Sequence, residues 1–430
     1  MKVTVVGLGK LGLCMAGVFA EAGHDVVGVD VNAELVEALR RGNCPIQELG
    51  LKELLHKTHE HLQYTTGFDD TRNFEPAFVI VPTPSGEDHR FRNDYVFEAV
   101  KKLLPSLSSP FPTIAITSTV MPGTMDEIKK MIENSTGKDF GLAYNPEFVA
   151  LGNVIQGMKF PDAILIGESD KRSGDVLESF YKTICLKNPP VHRMSFWNAE
   201  LSKIALNTYV TTKISLANTI AEICGEMPTG DVDVVTDFLG ADSRVGKKYL
   251  RGGLGFMGPC FPRDQRAFGT LGITPIQEAV DVFNTSHTEY VLTHISRLVE
   301  DHRPSTISIL GLTYKPDTPV VEESQSLEIA RRLAADGHFV RLYDPQGMPN
   351  AKKMLPEGKS VHYASNTTEC LHDSDLCVLA TMWKEFSDPS PTWFTQQMRH
   401  PVVYDCWRFW NRELFVEYGI EYHALGVNSD

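Results

Sequence analysis

One cysteine of this chain, Cys260, follows a run of glycines (Gly253, Gly255, Gly258) and stands four residues ahead of an acid, Asp264. A thiolate is a strong nucleophile near neutral pH, and a carboxylate one helical turn away with a cation nearby can hold it in reactive form. Glycines lack Cβ, so a loop of them lets backbone approach a phosphate or a sugar closely. The chemistry this pattern suits is covalent addition to an electrophilic carbon. Lys203, Asn207 and Thr211 recur every fourth residue along an otherwise apolar stretch. A polar stripe on a helix of that kind is costly unless it faces a ligand or a partner.

A second glycine pattern, Gly7-Leu8-Gly9-Lys10-Leu11-Gly12, follows the apolar run Lys2 to Val6 and precedes a helical stretch to Glu21. A second strand then ends at Asp30, 18 residues beyond the last glycine. In a βαβ unit Gly7 permits the tight turn, Gly9 lets a pyrophosphate reach the helix N-terminus, and Gly12 lets helix and strand pack. Asp30 accepts hydrogen bonds from both ribose hydroxyls and disfavours a 2′-phosphate, which points to NAD. Gly253, Gly255 and Gly258 match the same spacing, but with no strand before them.

These residues need elements to carry them. Strands are expected at Phe78 to Val81, Thr113 to Thr117, Leu142 to Tyr144 and Ala163 to Ile166. Several run into polar or proline-bearing loops. The carboxyl ends of strands in a doubly wound sheet face the ligand crevice, which places Thr83, Thr119 and Glu147 to touch cofactor or substrate. Asn198 to Cys224 reads as one long helix, apolar over most of its circumference and therefore buried, with the further prospect of a subunit interface. His56, His59 and His61 fall among charged residues on a solvated helix, with no ligand pattern around them to make a metal site.

After Arg303-Pro304 the chain starts again: a strand from Thr306 to Gly311, a loop Leu312 to Thr318, a helix from about Ser324 to Ala335, and a strand from Phe339 to Asp344. Ala20, Gly23, His24, Val26 and Asp30 recur as Ala334, Gly337, His338, Val340 and Asp344, each 314 positions on. The second unit lacks the three-glycine loop and offers Lys315, which suits a different nucleotide. The fold expected is α/β, with two Rossmann-like doubly wound domains joined by a long central helix. The parts are 1–190, 191–300 and 301–430: NAD-binding, central with the cysteine and dimer contacts, and nucleotide-sugar-binding.

At 430 residues, 42% hydrophobic and 22% charged, the chain has the composition of a soluble globular protein of two or three domains. A net charge of −14 argues against nucleic acid or an anionic membrane as partner. Eight scattered cysteines with no Cys-x-x-Cys pair indicate neither a disulfide framework nor a zinc ribbon, and no signal-peptide shape or membrane-length apolar run is present. A cytoplasmic protein is expected.

Taken together, the motifs resemble those of the UDP-glucose/GDP-mannose dehydrogenase family over nearly the whole chain. They are the first glycine loop, Pro45 to Glu48, Ser118 to Thr124, Asn145 to Phe148, Ala199 to Asn207, Gly255 to Cys260, and Lys315 with Asp317 and Thr318. The resemblance implies oxidation of a nucleotide sugar at C6 from alcohol to carboxylate, with two NAD per turnover. It implies Cys260 as the nucleophile that traps an aldehyde, Glu147 as acid/base, Asp264 as a second carboxylate, Lys203 and Asn207 at developing oxyanions, and Thr119 beside them. Gly7, Gly9, Leu11, Gly12, Asp30, Thr83, Thr119 and Arg263 would hold cofactor. Glu147, Phe148, Lys203, Asn207, Tyr249, Gly255, Cys260 and Lys315 would hold substrate, and Arg244 would reach the substrate of a partner subunit in a homodimer built on the central helix. Met257, Arg263, Leu151 and Asp405-Cys406-Trp407-Arg408 depart from the family's usual residues. UDP-glucose is the substrate expected first, since Asn-Pro-Glu-Phe suits that branch; GDP-mannose and UDP-N-acetylhexosamines are the alternatives.

Overall fold

Short apolar runs, each leading into a helix, are what a sheet of buried parallel strands requires. In the computed structural model, which describes residues 1–428, they form two sheets. The chain divides into two compact units, Met1–Leu206 and Asn207–Asp430. A 31-residue helix, Phe196–Glu226, runs unbroken through the division.

The first unit holds β1 (Lys2–Val6), β2 (Asp25–Val29), β3 (Leu62–Thr65), β4 (Ala77–Val79), β5 (Thr113–Ile116), β6 (Gly141–Tyr144), β7 (Ile164–Glu168) and β8 (Val191–Met194), in the order β3-β2-β1-β4-β5-β6-β7-β8. β1 to β6 are mutually parallel, and the β7–β8 pair runs against β6. The strand order reverses between β1 and β4, which places a ligand crevice at their carboxyl ends. On one face Phe19, Phe78 and Phe180 pack ring against ring at 4.8 to 5.2 Å. Each such pair contributes about 0.5–1.5 kcal/mol beyond the area it buries. The trio ties the helix Lys10–Glu21 and the helix Lys171–Ile184 to the sheet.

In the second unit β9 (Thr306–Leu310), β10 (Phe339–Tyr343), β11 (Val361–Tyr363), β12 (Leu376–Leu379), β13 (Val402–Asp405) and β14 (Glu421–Ala424) are all parallel, ordered β11-β10-β9-β12-β13-β14. The sequence echo is also an echo in backbone. Gly7 and Gly311 end β1 and β9 at φ +97° and +95°, a region closed to most side chains. Each donates its N–H across to the neighbouring strand at 2.8 Å, and the next residue, Leu8 or Leu312, donates to the acid at 2.7 Å.

The two acids then diverge. Asp344 is buried and also accepts from Thr313, Trp383, Gln346 and Gly347, so it is saturated by protein donors. Asp30 is partly exposed, and its oxygens accept Leu8 N–H and Asn32 N–H, leaving lone pairs on both.

Two expectations need correction. The long helix is not buried around its circumference: Tyr209 is 62% and Leu216 54% exposed, and Leu201 is exposed as well. Its apolar surface exceeds what the two cores cover. His59 and His61 lie in a separate 3-10 turn, because the helix Leu51–Lys57 stops at Thr58, whose hydroxyl turns back to Leu54 O. The helix expected from about Ser324 to Ala335 is Gln325–Ala335, with Ser324 as its N-cap, the hydroxyl accepting Leu327 N–H. Among the described residues no helix is long and apolar enough to cross a membrane.

Candidate active site

Of the residues expected to hold cofactor, Gly7, Gly9, Leu11 and Gly12 follow β1, Asp30 follows β2, Thr83 follows β4 and Thr119 follows β5, while Arg263 lies in the second unit. A Cβ on Gly12 would stand 1.8 Å from Gly7 O, so glycine there is a packing requirement. A Cβ on Gly9 would meet nothing within 4 Å, and no side chain caps the helix Lys10–Glu21 at that end. Backbone N–H groups at a helix start with open space before them are a pyrophosphate cradle. With Asp30 at the end of the neighbouring strand β2 offering spare acceptor capacity, the geometry fits NAD. Leu11 packs on the core beneath.

The loops after β4 and β5 are laced together. Ser118 Oγ donates to Val81 O at 2.7 Å and accepts Val81 N–H at 2.8 Å, while Thr83 donates to Thr119 O at 2.8 Å. The buried Glu200 accepts the N–H groups of Gly123 and Met125, each at 2.8 Å, and so caps the helix Thr124–Ser135. Burial pushes the Glu200 carboxyl up to about 7, against those two hydrogen bonds. Glu48 does the same for the next loop, accepting Gly152 N–H and Val154 N–H at 2.9 Å.

Glu147 follows β6. Tyr181 OH lies 3.2 Å from Glu147 Oε1 and 2.6 Å from Asn145 Oδ1, and Asn145 is itself anchored to Leu165 O at 3.0 Å. Lys203 is buried, donates to the Glu147 backbone carbonyl at 2.6 Å, and lies 4.6 Å from the centre of the Phe148 ring. Burial pushes the Glu147 carboxyl up to about 7, while the Tyr181 hydroxyl and the Lys203 charge pull the other way. A carboxyl so placed can take and return a proton near neutral pH. Tyr181 and Glu200 escaped sequence reasoning. Tyr181 reads as one more apolar position beside Phe180, whereas Glu200 was detectable as an acid next to Ala199 on a helix expected to be buried.

In the second unit Cys260 is the N-cap of the helix Phe261–Gly269 and is exposed. Asp264, one turn on, is buried, accepts Asn207 Nδ2 at 2.6 Å, and is bound by Arg263 at 3.1 Å. Thr211, next along the stripe, donates to Gln265 at 2.7 Å. The stripe is therefore polar residues with partners, Lys203 and Thr211 buried and Asn207 half-buried. Tyr249 adopts φ +61° and sets its ring edge-on to Phe261 at 6.0 Å. Arg244 is exposed and paired with Asp242 at 2.6 Å. Lys315 lies in the loop after β9, 5.8 Å from the centre of the Tyr314 ring.

The glycine loop before Cys260 differs from expectation. A Cβ on Gly253 would strike the Trp407 ring at 2.2 Å, and one on Gly255 would strike Asn284 and Gln325 at 2.2 and 2.4 Å. At those two positions the close approach that glycine permits is made by protein side chains. Trp407, one of the departures, is what fills the space at Gly253, and Met257 turns into the second unit's core. Leu151 packs against the first unit's core. Among the described residues no cluster of side chains could hold a metal ion.

Residues 1–185 match the NAD binding domain of the UDP-glucose/GDP-mannose dehydrogenase family, 197–276 its central domain and 308–412 its UDP binding domain. The chain is 32% identical to a UDP-glucose 6-dehydrogenase of Haloferax volcanii, over 99% of this chain and 100% of that one. The structure of a UDP-glucose dehydrogenase from Pyrobaculum islandicum is similar with a TM-score of 0.88 and 31% identity, covering 99% and 98% of the two chains. A UDP-N-acetyl-mannosamine dehydrogenase from Staphylococcus aureus is similar at 0.81 and 26%, covering 99% and 98%.

Proposed function

Since the chain belongs to the UDP-glucose/GDP-mannose dehydrogenase family and carries its NAD-binding domain, we propose that it oxidises UDP-glucose at C6 to UDP-glucuronate through a covalent intermediate on Cys260. The observation that carries this reading is Cys260 at the start of a nine-residue helix, with buried Asp264 one turn behind it. A helix N-terminus favours negative charge, which suits a thiolate. NAD would supply the hydride acceptor, one molecule for each of the two oxidations, and Gly7, Gly9, Leu11, Gly12 and Asp30 would hold it, with Thr83, Thr119 and Arg263 as further contacts.

The chain's own residues do the rest. The C6 alcohol loses a hydride and a proton to give an aldehyde. Cys260 Sγ adds to that carbon, and the thiohemiacetal loses a second hydride and proton to become a thioester. Water then displaces the sulfur and leaves a carboxylate. Glu147 takes the proton of that water, with Asp264 as a second carboxylate, while Lys203 and Asn207 meet the oxyanions that develop. Phe148, Tyr249, Gly255 and Lys315 contact the nucleotide sugar, and Arg244, extended from the surface, serves a partner's site. Work divides along the chain as 1–190 for NAD, 191–300 for the nucleophile and subunit contact, and 301–430 for the nucleotide sugar.

UDP-glucose is favoured over N-acetylated sugars by Asn145-Pro146-Glu147-Phe148 and by the relatives most similar in sequence, which are named UDP-glucose 6-dehydrogenases. NADH formed per UDP-glucose consumed tests the reaction: two is expected, whereas one would mean a simple alcohol dehydrogenase and zero a binding protein. The exposed apolar residues of the long helix, Leu201, Tyr209 and Leu216 among them, suit a homodimer. Leu216→Arg should move the protein from dimer to monomer in analytical ultracentrifugation. A wild-type chain that sediments as a monomer would refute the dimer.

A further inference from the structure

We infer that His287, braced by Glu222, is a positioning residue that holds the Gly253 to Gly258 loop, and with it Cys260, in place for the covalent steps. This rests on the proposed role of Cys260. His287 is fully buried in the helix Pro275–Leu298, and its Nε2 lies 2.7 Å from Gly253 O. A carbonyl only accepts, so Nε2 carries a hydrogen and donates it. Nδ1 lies 2.7 Å from Glu222 Oε1, a carboxylate oxygen, so a second hydrogen lies between those two atoms. The ring is stacked between Phe283 at 5.6 Å and Tyr290 at 6.2 Å, and the Tyr290 hydroxyl reaches Glu222 O at 3.4 Å. The imidazole therefore has little freedom to leave the carbonyl it binds.

The loop is clamped at one backbone group after another. Asn218 accepts Gly253 N–H at 2.9 Å, so both polar groups of Gly253 are held by buried side chains. Gln325 then accepts Gly255 N–H at 2.7 Å, Asn284 brackets Phe256 at 2.9 and 3.0 Å, and Gly258 N–H reaches Glu322 O at 3.0 Å. Pro259 and Cys260 follow directly. Only the His287 clamp combines full burial with a carboxylate brace. Removing it leaves a buried carbonyl with no donor and releases the loop at its first glycine.

Steady-state kinetics, urea unfolding and iodoacetamide labelling of Cys260, followed by peptide mass spectrometry, test this. In His287→Leu, kcat should fall by about 10²-fold and the labelling rate of Cys260 should change, because a small misplacement of a reacting atom is that costly. KM for NAD should stay near wild type, while the urea midpoint should fall, since the buried Gly253 carbonyl loses its donor. Glu222→Gln should keep most of kcat, since its amide can donate to Nδ1 and leave Nε2–H on Gly253 O, whereas Glu222→Leu should lose it. Wild-type kcat and labelling in His287→Leu would overturn the inference, as would a loss of kcat matched by an equal rise in KM for NAD. Should His287→Leu fail to fold, the Glu222 pair decides, and equal activity of Leu and Gln at 222 would refute it. A Cys260→Ser enzyme that still made carboxylate would sink the covalent reading, while the labelling rate would continue to report on the loop.

Discussion

Cys260→Ser is expected to fold, bind NAD and make no detectable UDP-glucuronate, with net turnover lower by on the order of 10³-fold or more. Folding should survive because residue 260 is a helix N-cap, a position where serine is among the preferred residues. The substitution also changes little in volume at an exposed site. What it removes is nucleophilicity. A serine hydroxyl is almost wholly protonated near neutral pH, whereas a thiol at a helix start supplies thiolate. Circular dichroism and NAD titration should therefore match wild type while carboxylate output disappears. Undiminished carboxylate output from the serine enzyme would rule out covalent catalysis.

The parts of the site legible in the sequence were those where one residue type meets a local requirement. Gly7 at φ +97°, Gly12 against Gly7 O, and Asp30 at the end of a strand are fixed by contacts within one βαβ unit, and that unit is written contiguously. The polar stripe of the long helix was legible for the same reason, since spacing four on a helix is one face. Illegible features depend on residues distant in sequence. Whether the glycines before Cys260 face a ligand or protein depends on Trp407, Asn284 and Gln325, and nothing in Gly253 to Gly258 announces them. Likewise Asp344 matches Asp30 in the echo, yet Trp383 and Thr313 consume its acceptor capacity, so equal letters leave spare acceptors in one unit and a saturated loop anchor in the other. The long helix misled on burial because its apolar content shows how much surface seeks cover without showing what supplies it.

Glu147→Gln and Lys203→Ala are expected to fail at different chemical steps. The Glu147 carboxyl is pushed up to about 7 by its burial, so it is ionised, and able to take a proton from water, only as the pH rises through that value. Thioester hydrolysis in the wild type should accordingly slow below pH 7. Glu147→Gln keeps the side chain's size and its contact with Tyr181 but cannot accept a proton, so deacylation should slow by roughly 10² to 10⁴ while Cys260 still forms the thioester. A burst of NADH should precede a slow phase, and the pH dependence near 7 should vanish. Lys203→Ala removes a buried cation that binds the Glu147 carbonyl and faces Phe148. If that charge steadies the alkoxide during hydride loss, its removal slows the steps before the thioester, by roughly 10² to 10³, and no burst appears. Mass spectrometry of acid-quenched enzyme separates the two: an adduct on Cys260 should accumulate in Glu147→Gln and be missing in Lys203→Ala. The opposite distribution would show that the lysine serves hydrolysis and the glutamate the oxidation.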